Sequence, residues 1–248
     1  MRRVNLLLRY TLFLCAAAVF DSMLCLAQSP PAEWQFYGGN QAGIRYSPLK
    51  EINRSNVAKL RRAWVYHTGE LDLGLQTATF KASFSCTPLV VNGVMYLSTP
   101  SSRVIALDAE TGKEIWKFDP QAGKKEREFN SHRGVSYWEG PSIKGTGRDR
   151  RILFGTVDGR LFALNADTGQ PSTDFGQGGQ VDLRAGVADK RVQPPSWGAR
   201  VTSPAAIYKD LVIIGWGLPE FPSKGPGGDV RAYDVRSGKL IWTFHTVP

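Results

Sequence analysis

The side chains in this sequence that could carry chemistry are few, and their types narrow the reactions available. Of three cysteines, Cys15 and Cys25 fall in an apolar amino-terminal segment and leave Cys86 alone. One thiol can neither staple a fold nor build a cysteine metal site. Cys86 precedes Thr87-Pro88 at the head of an expected strand, which suits a small buried hydrophobe; a reactive thiol is the other reading. The three histidines are dispersed. His67 and His245 fall in expected outer strands and read as structural. The remaining opportunities sit in or beside three long loops, Gly69 to Phe84, Gln121 to His132 and Gly217 to Gly228. Loops of that length in a compact chain are common places for binding.

Something must hold those loops, and the sequence writes its scaffold three times. V-I-A-L-D-A-E-T-G-K-E-I-W-K-F at Val104 to Phe118 returns as R-L-F-A-L-N-A-D-T-G-Q at Arg160 to Gln170 and V-R-A-Y-D-V-R-S-G-K-L-I-W-T-F at Val230 to Phe244. Each copy is an alternating apolar run, an Asp or Asn, two variable residues, Thr or Ser, and Gly. Such a unit predicts strand, tight turn, strand. The spacing of Gly112, Gly169 and Gly238 exceeds one hairpin and leaves room for about four strands per copy, the size of a propeller blade.

The strands divide accordingly into three sets: 87–91, 94–98, 103–107 and 114–118; 134–138, 151–156, 160–164 and 180–183; 202–208, 211–216, 230–234 and 240–246. Asn92-Gly93 and Asp158-Gly159 supply hairpin turns. Trp116 and Trp242 are expected to dock between neighbouring blades, and Thr173 stands at the matching position of the middle copy. A short helix is expected over residues 55–60, capped by Asn53 or Ser55, with Val57 and Leu60 on one face. Residues 61–68 read as one further strand, the closing strand of a blade whose other strands come from elsewhere. The expected fold is therefore all-β: a partial β-propeller of about three four-stranded blades plus one closing strand.

Composition sets the context. With 248 residues and 42% hydrophobic content the chain can bury a sizeable core, and 26 Gly and 15 Pro suit many short turns. Arg2, Arg3 and Arg9 precede an uncharged run from Tyr10 to Phe20 that is too short to span a bilayer, and Cys25-Leu26-Ala27 resembles a signal-cleavage site. Residues 1–27 are therefore expected to be a secretory signal peptide and 28–248 the propeller domain, in the periplasm or secreted. An uncleaved segment anchoring the protein to a membrane is the alternative. The net charge of +9 is spread over clusters of mixed sign, which reads as solvated loops and excludes nucleic acid as a partner.

W-Q-F-Y-G-G-N-Q-A-G-I-R-Y-S-P-L from Trp34, the A-L-D-A-E-T-G-K-E-I-W turn, H-R-G-V-S-Y-W from His132, and the run from Gly227 to Pro248 together resemble quinoprotein dehydrogenases that use pyrroloquinoline quinone, most closely the glucose dehydrogenase branch. The resemblance implies an eight-bladed propeller with the cofactor near its axis, beside calcium or magnesium. It implies cofactor contacts from Arg133, whose guanidinium suits a carboxylate or quinone oxygen, from Thr202 and Gly217, and from His132 and Trp216. For the last two, structural histidine and inter-blade packing remain alternatives. Glu220 occupies the position of a metal-binding carboxylate, unless it is simply solvated. No residue is assigned a catalytic role, because the resemblance places the family's catalytic aspartate in later blades. The implied partners are a sugar or alcohol substrate and a membrane quinone or cytochrome as electron acceptor. The turn motif alone is shared with noncatalytic secreted propeller scaffolds, which need neither Arg133 nor Glu220.

Overall fold

The computed structural model describes residues 33–74, 83–143, 145–186, 200–217 and 228–246. The expected leader, residues 1–27, and Glu220 lie outside them. Two compact units are distinguished. Ser47–Glu51 fall outside the larger unit and are exposed; Glu33–Tyr46 and the chain from Ile52 onward form the unit that carries the described sheets. No described helix is long and apolar enough to cross a membrane.

Blade 1 comprises β1 (Leu89–Val91), β2 (Val94–Ser98), β3 (Val104–Asp108) and β4 (Glu114–Phe118). Blade 2 comprises β5 (Ser136–Pro141), β6 (Arg148–Gly155), β7 (Arg160–Asn165) and β8 (Gln180–Asp182). Blade 3 comprises β9 (Ala206–Tyr208), β10 (Leu211–Ile214), β11 (Val230–Asp234) and β12 (Leu240–Phe244). Each is a four-stranded antiparallel sheet with its strands in sequence order. The β1–β2 hairpin turns on Asn92 and Gly93 at φ 51° and 76°, the left-handed pair that matches strand twist.

The thrice-written turn has one geometry in all three blades. Asp108 Oδ1 accepts hydrogen bonds from Thr111 N and Oγ1 at 2.7 and 2.6 Å. Asn165 does the same with Thr168 at 2.9 and 3.1 Å, and Asp234 with Ser237 at 2.7 and 2.7 Å. The glycine that follows sits at φ 71°, 70° and 69°. Those side-chain bonds satisfy turn amides that no strand can pair.

Two of these glycines also receive the tryptophan of the preceding element. The Trp116 ring covers Gly169, and its Nε1 donates to Ala166 O at 2.9 Å. Trp64, from the extended segment before blade 1, covers Gly112 in the same way and donates to Ala109 O at 3.3 Å. At either glycine a Cβ would strike the ring. Trp64 thus places residues 61–68 where a preceding blade's outer strand would lie.

At the seam between blades 2 and 3 no tryptophan covers the turn glycine, Gly238, which meets Val181 and Gly176 instead, and a guanidinium reaches the turn carbonyl in its place. Buried Arg151 donates through Nη1 to Val235 O and Arg236 O at 3.4 and 2.8 Å. Val235 O is the counterpart of the Ala109 and Ala166 carbonyls, each directly after its turn's Asp or Asn. Arg151 Nη2 is held by Asp149 and Asp174, both at 2.9 Å. The apolar filling of this seam includes Trp138, Leu153, Phe175, Val212 and Tyr233. Tyr96, Trp116, Tyr137, Phe154 and Phe162 help to fill the seam between blades 1 and 2.

Residues 61–68 make no strand ladder among the described residues, in keeping with a closing strand whose partners come from elsewhere. Two expectations are corrected. The helix over 55–60 shortens to a 3₁₀ turn at Val57–Lys59. Val57 and Leu60 are exposed there, so no buried apolar face supports a longer helix. Trp242 is 38% exposed and covers no turn glycine among the described residues.

Candidate functional site

Alternation of strand direction puts the 99–103, 119–135 and 156–159 connections, the residues 200–205 that lead into β9 and the residues 215–217 that leave β10 at one rim of the sheets, opposite the Asp/Asn turns. His132, Arg133, Thr202, Trp216 and Gly217 fall on that rim or at its edge, and Glu220 lies outside the described residues. The first residues leading into the three inner strands are stitched together there. Thr87 N donates to Arg133 O at 3.0 Å, and Arg133 N donates to Thr202 O at 2.8 Å. The Arg133 side chain repeats the second link, Nη1 donating to Thr202 Oγ1 at 2.9 Å. Gly134, at φ 142°, lets the chain turn from this link into β5; a Cβ would press on Thr87 O at 3.0 Å. Gly217 pairs with Arg200 through bonds of 2.8 and 3.3 Å, which brings the end of β10 beside Thr202.

Arg133 is exposed and meets no carboxylate among the described residues. It lines a cleft of about 540 Å³ that runs along β5 and β9, with the Gln35–Arg45 loop contributing the rest of its lining. Among the described residues no Asp or Glu lines this cleft. An uncompensated guanidinium in such a setting favours an anion, and its planar fork suits a carboxylate.

His132 is buried, and both ring nitrogens are engaged. Nε2 lies 2.7 Å from Gly155 O and Nδ1 lies 2.7 Å from Ser98 Oγ. A carbonyl only accepts, so Nε2 carries the hydrogen and Nδ1 accepts from the Ser98 hydroxyl. Burial pushes the imidazole pKa down, and the Arg133 charge adds to that, against the opposing effect of the Gly155 bond. His132 is thus a neutral bridge from blade 1 to blade 2 beneath Arg133. Ser98 N in turn donates to Cys86 Sγ at 3.3 Å, and burial pushes the Cys86 thiol pKa up. His67 is exposed. His245 Nδ1 lies 3.2 Å from Asp229 Oδ1.

Trp216 packs in the core between blades 2 and 3, its ring 4.8 Å from the Arg231 guanidinium carbon. Arg231 is fixed by Leu183 O and Ala185 O at 3.2 and 2.9 Å. Trp216 Nε1 is buried and has no hydrogen-bond partner among the described residues. Among the described residues no group of three or more His, Cys, Asp or Glu is placed to hold a metal.

Sequence reasoning passed over a buried ion pair on this rim. Glu70, 3% exposed, pairs with Arg103 Nη2 and Nε and accepts from Ser101 N and Oγ at 3.0 and 2.9 Å. Arg103 also donates to Thr68 O at 2.6 Å. The available signal was Gly69-Glu70 at the mouth of a long loop. Nearby, Gln121 anchors the next loop to Ser101 O and Glu128 O, both at 2.8 Å.

Comparison with known proteins sets this geometry in context. Residues 34–248 match the family described as glucose/ethanol/alcohol dehydrogenase, beta-propeller domain, of the pyrroloquinoline quinone group. The chain is 37% identical over 232 residues to quinoprotein glucose dehydrogenase A of Acinetobacter calcoaceticus, covering 87% of this chain and 28% of that enzyme. It is 34% identical over 237 residues to a quinohemoprotein alcohol dehydrogenase of Pseudomonas putida, covering 94% and 29%. Among solved structures, the quinohemoprotein alcohol dehydrogenase of Comamonas testosteroni superposes with a TM-score of 0.65 at 33% identity, over 89% of this chain and 28% of that one. The chain therefore spans less than a third of the length of these relatives. Three open blades, the stitched rim and these matches agree: the chain belongs to the quinoprotein glucose/ethanol/alcohol dehydrogenase family and carries part of its β-propeller.

Proposed function

We propose that this chain is the amino-terminal portion of a dehydrogenase dependent on pyrroloquinoline quinone. The complete protein would oxidise a glucose-like sugar or an alcohol in the periplasm or outside the cell. Electrons would pass to a membrane quinone or a cytochrome. The observation that carries the reading is Arg133, an exposed guanidinium that among the described residues has no carboxylate partner and shares its cleft with no acid. That donor set fits a flat tricarboxylate. When bound, the quinone supplies the two-electron acceptor for the alcohol carbon, chemistry that no side chain here offers.

The chain's own residues bind and orient. Arg133 would hold a carboxylate, with Thr202 Oγ1 fixing the guanidinium from one side. Gly217, lacking a side chain, would let the cofactor approach the backbone. Trp216 would supply a flat face whose indole N–H has no hydrogen-bond partner among the described residues. His132, with both nitrogens committed, would set the height of Arg133 on the rim. Glu220 would provide one oxygen ligand to calcium or magnesium, hard ions that favour carboxylates.

Equilibrium titration of pyrroloquinoline quinone into the purified chain, read by quenching of tryptophan fluorescence, tests this reading. Saturable binding weakened about tenfold or more by Arg133→Ala, with an unchanged far-ultraviolet spectrum, is the expected result. Absence of saturable binding, or equal affinity of the variant, would return the chain to the noncatalytic scaffold reading. No substrate turnover by this chain alone is expected.

A further inference from the structure

The cleft that holds Arg133 has a second cation on its lining, contributed by a different part of the chain. Arg45 lines the same space, and among the described residues it too meets no carboxylate. We propose that Arg45 is a second anion-binding residue of this cleft, so that a planar ligand carrying at least two carboxylates is clamped between guanidinium groups from the amino-terminal loop and from the start of blade 2. This rests on the reading of the cleft as the cofactor's and goes beyond it, by adding a ligand-binding residue and by making the amino-terminal loop part of the site.

The loop is built to present that side chain. Trp34 anchors it to β1 through a pair of backbone bonds with Val90, at 2.9 and 3.0 Å. The loop then closes on itself: Gly39 N donates to Phe36 O at 2.8 Å, Gly43 N to Asn40 O at 3.0 Å, and Arg45 N to Gly38 O at 2.9 Å. At Gly38 the chain passes so close to Gly43 that a Cβ would collide with its backbone. Arg45 itself sits at φ 53°, a left-handed conformation that costs a non-glycine residue free energy. Its guanidinium carbon lies 5.1 Å from the Tyr37 ring centroid, a cation–π contact that holds the charge without neutralising it. Tyr37, Tyr137 and Tyr208 line the same space, so a flat aromatic ligand would meet rings as well as cations.

Two probes separate this proposal from the functional reading beneath it: pyrroloquinoline quinone, and trimesate, a flat benzene tricarboxylate with no quinone. Both are titrated into the wild-type chain and into Arg45→Gln and Arg45→Lys, with circular dichroism to show that each variant is folded. The expected result is that Arg45→Gln weakens both ligands about tenfold and Arg45→Lys less, because a lysine keeps the charge but loses the fork. Unchanged affinity of folded Arg45→Gln for either bound ligand overturns the clamp and leaves the functional reading standing. If trimesate binds and the quinone does not, the functional reading falls and Arg45 is judged on trimesate. If neither binds the wild type, both fall.

Discussion

Replacing Arg151 with leucine tests whether a guanidinium does at the turn of blade 3 what Trp64 and Trp116 do at the turns of blades 1 and 2. The side chain is 3% exposed and joins four acceptors: the Val235 and Arg236 carbonyls on blade 3, and Asp149 and Asp174 on blade 2. Leucine would keep most of the hydrocarbon volume. It would take the guanidinium away from two carboxylates and from two carbonyls. Removing one partner of a buried ion pair costs about 3–5 kcal/mol. Asp149 and Asp174 are 19% and 27% exposed, so water recovers part of their solvation and the lower end applies. The expected loss is about 3 kcal/mol. Urea unfolding of the full chain measures it as a fall in the midpoint at constant slope. A loss below about 1 kcal/mol, the range of an exposed surface pair, would refute the argument that Arg151 takes over the tryptophan's place.

Trp116 and Trp242 give a paired expectation. Trp116→Ala should cost about 3–5 kcal/mol, because it opens a cavity between blades 1 and 2 and removes one of the two donors to Ala166 O. Trp242→Ala, which removes an exposed ring from β12, should stay within about 1 kcal/mol in the same unfolding measurement. Stability should also depend on pH through His132. An unfolded histidine takes up its proton near pH 6.5, roughly the model-peptide value, whereas the folded imidazole, its pKa pushed down by burial, stays neutral to lower pH. The unfolded state then binds more protons, so the contribution is complete above that value and is lost as pH falls toward the folded pKa. Comparing urea midpoints from neutral to mildly acid pH should show that decline in the wild type and a flatter profile in His132→Asn. Parallel profiles would sink this assignment.

The strands were legible because their signals are local. Asp108, Asn165 and Asp234 each bond the Thr or Ser three residues on, and Asn92-Gly93 fixes its hairpin without outside help. Registers that depend only on such turns can be read from a run of one-letter codes. What escaped is long-range. Glu70 meets Arg103 across an intervening hairpin strand, and no periodicity announces the pair. Thr173 at a tryptophan position flagged an altered seam, but nothing in the sequence pointed to Arg151 as its replacement, since that role exists only once blade 3 brings Val235 O to it. His132 could be placed beside Arg133 from the sequence alone. That both its nitrogens are consumed by Ser98 and Gly155 depends on two strands from different blades. Arg45 went unnoticed for the same reason: the loop that carries it folds back to β1 through Trp34 and so reaches the cleft of blades 2 and 3.

The central claim is that this rim presents Arg133 to a carboxylate of the quinone cofactor, and a crystal structure of the chain soaked with pyrroloquinoline quinone tests it most directly. The account predicts a cofactor carboxylate within hydrogen-bonding distance of the Arg133 guanidinium, with the Thr202 contact retained. Density for the quinone elsewhere on the protein, or Arg133 turned out of the cleft with the ligand present, would contradict it.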